Sequence, residues 1–225
     1  MAPSDHLILK EDVFLSKIKD ALEYTATHDA LLTLGISPSR PDTGYGYINF
    51  RQLSDNGIHQ VEAFLEKSDL EKAKKFLSDG NHLWNAGIFI WSASSILASL
   101  KLHAPEVCGL FEAGKSFYNT IMESSFISET YPLSPNISID YAIMEKAENV
   151  YTIPCEFGWS DLGTWPSLYE VLDKDENNNV FHGHNMHLGD TSNCMIQLPK
   201  EKVAVIKGLE NYIVVDDGKV LLSLG

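Results

Sequence analysis

The sequence has little basic charge, little cysteine and no long apolar run. Lysine and arginine number 17 against 31 aspartate and glutamate, a formal net charge of −14. So acidic a chain lacks the basic footprint with which proteins hold nucleic acid or an anionic membrane, and neither partner is expected. A nucleotide substrate stays open, because one metal ion and a few local donors can meet its charge. Cys108, Cys155 and Cys194 are scattered and form no CxxC pair. That argues against a disulfide framework and for a reducing, cytoplasmic setting. The apolar stretch Ala86 to Trp91 falls far short of the roughly 20 residues of a membrane span. The opening Met-Ala-Pro-Ser-Asp-His has no basic region and no apolar core, so no signal peptide is expected.

What is present is ordinary globular composition, 44 % hydrophobic and 21 % charged over 225 residues. Residues 11–28 carry apolar side chains at helical spacing, with Glu11 and Asp12 in the first turn where the helix dipole favours them. Ala30 to Ile36 is a continuous apolar run of buried-strand type. Residues 37–44 hold two prolines and a glycine and read as loop. Strands follow at Tyr45–Phe50, His59–Glu66 and Leu83–Trp91. A short helix lies between them, at Asp69–Leu77, capped by Ser68 and closed by Gly80. Ser92–Leu102, Pro105 to about Glu123, and Ile139–Ala147 with Ser138 as cap read as helices. Asn149–Ile153 reads as a strand, and a last helix runs from Thr164 to about Asp173. After the polar stretch Lys174–Asn179 only short strand-like runs recur. Residues 1–175 are therefore expected to form a layered α/β core, and 176–225 a small β domain.

Five segments carry groups suited to chemistry. Asp5 stands where an open α/β sheet would bind a ligand, although an acid there also serves as a helix cap. In Thr43-Gly44-Tyr45-Gly46-Tyr47 two glycines allow close main-chain approach to a ligand, or equally a tight turn entering a strand. Glu66 and Lys67 form an acid–base pair that could serve sugar hydroxyls and a phosphate, or stand as two solvated charges. Asn85 is a polar residue inside an apolar strand and must find partners, whether structural or ligand, since burying an unpaired amide costs about 1–3 kcal/mol. Asp161, flanked by small residues between a strand and a helix, is a candidate metal ligand or a cap. His182, His184 and His187 lack a ligand spacing and read as loop histidines. Asp216-Asp217-Gly218 reads as a hairpin turn.

In this order the segments PSDH (3–6), TGYGYI (43–48), FLEK (64–67), LWNAGIFIW (83–91), SIDYAIMEKA (138–147) and GWSDLGTW (158–165) resemble the bacterial mannose-1-phosphate guanylyltransferases. The resemblance implies a Rossmann-like nucleotidyltransferase core followed by a small left-handed β-helix-like domain. It implies transfer of a nucleotidyl group from GTP to mannose 1-phosphate, giving GDP-mannose and pyrophosphate, with Mg²⁺ held by Asp5 and Asp161. By the same resemblance Gly46, next to Tyr45, meets the sugar through its main chain. Glu66 and Asn85 hold sugar hydroxyls, and Lys67 faces the sugar phosphate. Two departures stand out: Ser68 replaces the family's proline after the Glu-Lys pair, and no GGxGxRLxP loop for the triphosphate is found. The chain is accordingly expected to be an N-terminally truncated member that keeps the sugar-phosphate half of the site, lacks its first strand and has weak or no turnover alone. A bared sheet edge would then favour homo-oligomers. A non-catalytic sugar-phosphate-binding relic or regulatory fragment is the alternative, and a glycosyltransferase of similar plan is a further class, which a DxD metal pair would favour and of which none is found in the core.

Overall fold

A computed structural model of the chain describes residues 1–52, 57–65, 67–182 and 185–225, with the backbone alone for 185–188. Strand β1 (Leu7–Ile8) is followed by helix α1 (Glu11–Thr27), β2 (Leu31–Ile36), β3 (Tyr47–Arg51) and β4 (His59–Leu65). Then come α2 (Leu70–Asp79), β5 (His82–Trp91), α3 (Ala93–His103), α4 (Pro105–Glu112) and α5 (Glu123–Thr130). A 3₁₀ turn (Tyr131–Leu133) and a π-helical turn (Asp140–Met144) lead to β6 (Val150–Cys155), β7 (Trp159–Ser160) and α6 (Trp165–Val171). The tail holds β8 (Val180–His182), β9 (Asn185–Gly189), β10 (Met195–Gln197), β11 (Val203–Lys207), β12 (Ile213–Asp216) and β13 (Leu221–Leu224).

The chain divides into two compact units, 1–4 with 8–159 and 5–7 with 160–225. In the first, five strands close in the order β2-β5-β3-β4-β6. Strand β2 runs parallel to β6 and antiparallel to β5, so the sheet is mixed. Every residue of β2 is buried, as its unbroken apolar run requires. Closure depends on the short pairing of His59 with Thr152 and Gln60 with Tyr151. The bared edge expected from the sequence is thus absent among the described core strands, because β4 bonds to β6. One apolar cluster centres on Leu32, Leu34, Tyr47, Trp84 and Phe157, with Phe14 and Ile18 of α1 laid against it. A second joins Leu31, Phe89, Ile143, Met144 and Val150.

Local chemistry explains the helix ends. Helix α2 is capped by Asp69, whose carboxylate accepts from the Lys72 N–H, rather than by Ser68; it stops at Gly80 in the left-handed region. The helix expected from Pro105 to Glu123 ends at Glu112, and turns carry the chain to α5. Gly114 lies in this break, where the Phe126 ring occupies the space a β-carbon would need. The helix expected at Ile139–Ala147 contracts to the π turn. Helix α6 opens with a capping box between Thr164 and Ser167.

In the second unit β8, β10 and β12 stack in parallel, as do β9 and β11, the pattern of a β-helix. Cys194, Ile196, Leu198 and Val214 form its apolar centre. β12 and β13 pair antiparallel across the Asp217–Gly218 turn. All three cysteines are buried and free.

Candidate functional site

The loop ahead of β3 is tied down by its own side chains. Arg40 donates to Asp42 Oδ2 at 2.8 Å, and Asp42 Oδ1 accepts from the Gly44 N–H at 2.7 Å. The hydroxyl of the fully buried Tyr47 donates to the Asp42 carbonyl at 2.8 Å. Tyr45 is buried, its ring 5.1 Å from that of Trp84 and 5.2 Å from that of Trp159. Its side chain braces the loop, and the Arg40 guanidinium lies over the Trp84 ring at 5.3 Å.

This bracing delivers Gly46 to β5. The Asn85 N–H donates to the Gly46 carbonyl oxygen at 2.9 Å. A β-carbon on Gly46 would meet the Leu65 carbonyl oxygen at 3.4 Å and Asn85 Cβ at 4.0 Å. The structure therefore brings together Gly46, Asn85 and the end of β4. Glu66 lies outside the described residues. Lys67 is exposed, two residues beyond Leu65, which pairs with Tyr47.

The Asn85 side chain is half-buried and held at both ends. Its Nδ2 donates to Asp140 Oδ1 at 2.8 Å, and its Oδ1 accepts from the Gly87 N–H at 3.0 Å. Gly87 can turn its N–H back onto the preceding side chain because its φ is +66°, a conformation open to glycine. Asp140 is a residue the sequence did not single out. Its signal, an acid just after Ser138 and Ile139, reads as an ordinary first-turn helix acid.

Asp5 and Asp161, both in the second unit, leave the same end of one ladder. β1 and β7 form a two-stranded sheet. Beyond it the Leu9 N–H bonds to the Gly158 oxygen and the Lys10 N–H to the Phe157 oxygen, so the strands run antiparallel. Asp5 lies two residues before β1 and Asp161 one residue after β7. Asp5 is exposed and Asp161 half-buried. Asp161 Oδ1 accepts the Gly163 N–H at 3.0 Å, and a β-carbon on Gly163 would press within 2.9 Å of Oδ2. Among the described residues no group of three histidine, cysteine or acidic side chains is placed to hold a metal. Two carboxylates suit a hard cation such as Mg²⁺, which keeps several waters and takes substrate phosphates as further ligands.

Among the described residues no helix is long and apolar enough to cross a membrane. Residues 2–178 match the model of the nucleotidyl transferase family. A mannose-1-phosphate guanylyltransferase of Sinorhizobium fredii is 36 % identical over 216 residues, covering 95 % of this chain and 41 % of the relative. The alginate biosynthesis protein AlgA of Pseudomonas fluorescens is 36 % identical over 220 residues, covering 95 % of this chain and 44 % of that protein. The chain thus spans less than half the length of these relatives. Among solved structures, a mannose-1-phosphate geranyltransferase from Thermus thermophilus superposes with a TM-score of 0.83 at 29 % identity, over 99 % of this chain and 64 % of that one.

Proposed function

The chain belongs to the nucleotidyl transferase family, and from that premise we propose that it serves the transfer of a guanylyl group from GTP to mannose 1-phosphate. A phosphate oxygen of the sugar phosphate attacks the α-phosphorus of GTP. The bond to the β-phosphate oxygen breaks, and GDP-mannose and pyrophosphate result. No covalent enzyme intermediate is required, so the protein contributes positioning and charge stabilisation.

The observation that carries this reading is the bond between Asn85 and Gly46, which sets a carboxamide beside a glycine main chain. Asn85 and Glu66 take sugar hydroxyls, and the Gly46 main chain lies along the ring. Lys67 meets the phosphate as a point charge that lessens repulsion in the approach to GTP. Tyr45 holds the loop carrying Gly46. Asp5 and Asp161 would hold Mg²⁺, which when bound offsets the charge that builds on the phosphates. Guanylyltransferase relatives at 36 % identity support the choice of sugar and base.

The test is calorimetry of the chain with mannose 1-phosphate and with GTP, alongside chromatographic detection of GDP-mannose in the presence of Mg²⁺. Binding of mannose 1-phosphate is expected, with GTP binding and product formation weak at most, because no Gly-rich triphosphate loop is found in the sequence. Binding of the sugar phosphate without turnover would make the chain a sugar-phosphate-binding fragment. No binding of mannose 1-phosphate would overturn the proposal.

A further inference from the structure

The segment SIDYAIMEKA has no part in the roles assigned above, yet its acid reaches across the fold to Asn85. We propose that Asp140 is a positioning residue, whose carboxylate fixes which way the Asn85 carboxamide faces and thereby which hydroxyl pattern the amide can read. The inference rests on the reading of Asn85 as a sugar-binding residue.

A carboxamide has two ends of nearly equal shape and opposite hydrogen-bonding character. Rotation by half a turn exchanges donor for acceptor, so an unrestrained asparagine discriminates poorly between hydroxyls that give and hydroxyls that take a proton. Here each end meets a partner of fixed character. An ionised carboxylate only accepts, and it faces Nδ2 at 2.8 Å. A main-chain N–H only donates, and Gly87 aims it at Oδ1 at 3.0 Å. Flipping the amide would set oxygen against oxygen at one end and N–H against N–H at the other. Both bonds would be lost, and the one to the carboxylate is of the stronger, charge-assisted kind.

Asp140 is itself well anchored. Its carbonyl accepts the Glu145 N–H at 2.9 Å, the bond that closes the π turn. Ala142, Ile143 and Met144 of that turn are buried in the second apolar cluster. The wide turn, a form that recurs at functional sites, thus fixes the carboxylate to the core. After these bonds Asn85 retains one Nδ2 hydrogen and one Oδ1 lone pair. That remainder matches two neighbouring hydroxyls, one accepting and one donating, as on the vicinal diol of a sugar ring.

The experiment is a double-mutant cycle on mannose 1-phosphate affinity, measured by calorimetry on the full chain, with the Asn85 side-chain amide followed by ¹⁵N NMR. D140A is expected to weaken binding about tenfold, the loss typical of a hydrogen bond to a charged group. N85A should weaken it similarly, and the double variant should be no worse than the worse single one. D140N keeps the size and an acceptor, and should recover affinity to within about threefold of the parent. It also carries the comparison should D140A fail to fold. Losses that multiply in the double variant, or parental affinity in D140A, would overturn the role of Asp140 while leaving the sugar-phosphate reading intact. If the parent chain itself binds no mannose 1-phosphate, that reading fails, and the amide resonances decide the orientation alone. Two resolved Nδ2 protons whose shifts change in D140N support the lock. An amide pair indifferent to the substitution refutes it.

Discussion

Tyr45 and Trp84 hold their rings 5.1 Å apart, and one residue further along each segment the Asn85 N–H meets the Gly46 carbonyl at 2.9 Å. The aromatic pair is a clamp, and the main-chain bond is what it clamps. The ring contact faces the apolar core, whereas Asn85 faces away from it and reaches Asp140. The apolar packing and the polar contacts of this strand are therefore separable.

Gly46→Ala tests that separation. The added methyl would stand 3.4 Å from the Leu65 carbonyl oxygen, tight but relieved by a small shift. Stability should change by no more than about 0.5 kcal/mol, the range of substitutions away from the core. Affinity for mannose 1-phosphate should nevertheless fall severalfold, because the methyl covers the main chain. Thermal melting and calorimetry on the same sample read the two effects, and an unaltered affinity removes Gly46 from the site.

Asp5→Asn and Asp161→Asn each remove one hard anionic ligand while keeping the size of the side chain. The amide introduced by Asp161→Asn would still offer an oxygen to the Gly163 N–H, so the local turn should survive. Each change should weaken Mn²⁺ binding about tenfold or more, and the pair together should abolish it. Paramagnetic resonance of free Mn²⁺ gives the count. Chelation of the divalent ion should stop product formation and excess Mg²⁺ should restore it; variants that bind Mn²⁺ like the parent would move the metal elsewhere.

Gly35 sits in β2 at an irregularity in its pairing with β5. A β-carbon there would lie 2.5 Å from Leu83 Cδ1 and 2.9 Å from Thr152 Oγ1. Gly35→Ala should cost about 1–3 kcal/mol by overpacking a closed sheet in which both neighbours of β2 are fixed. Denaturant unfolding should show an earlier midpoint with the same slope.

Two buried histidines make stability depend on pH. Burial lowers the pKa of His59 and of His82 below the ordinary 6.5; at His82 the Asp79 carboxylate opposes the shift and Lys75 adds to it. Both take up a proton less readily in the fold than in the unfolded chain, which binds protons from pH 6.5 downward. Stability is thus complete above that value and declines as the pH falls below it, by at most about 1.4 kcal/mol per pH unit for each histidine. Denaturation curves at pH 7.5 and 5.5 should differ, and His59→Asn with His82→Asn should narrow the difference.

Much of this was legible in the residues. The unbroken apolar run of Leu31–Ile36 announced a strand buried along its whole length, and Glu11–Thr27 announced its helix. Gly80 marked a helix end because a left-handed residue is needed there. The sequence placed the cap of α2 on Ser68, and the structure places it one residue later, on the Asp69 carboxylate. The break at Gly114 was hidden because its cause, the ring of Phe126, comes from a later segment. The site divides in the same way. Asn85 declared itself as a polar residue in an apolar strand, but its partner Asp140 is set by tertiary contact that no local pattern encodes.

The pairing of β2 with β6 joins Leu31 to Val150, more than a hundred residues later. Nearly the whole first unit must leave the ribosome before that ladder can form, and the loop entropy is spent before the contact repays it. Folding of this unit is therefore paced by its last strand. A nascent chain stalled anywhere short of Cys155 holds β2 unpaired on one side, a sticky surface that a chaperone would be drawn to cover.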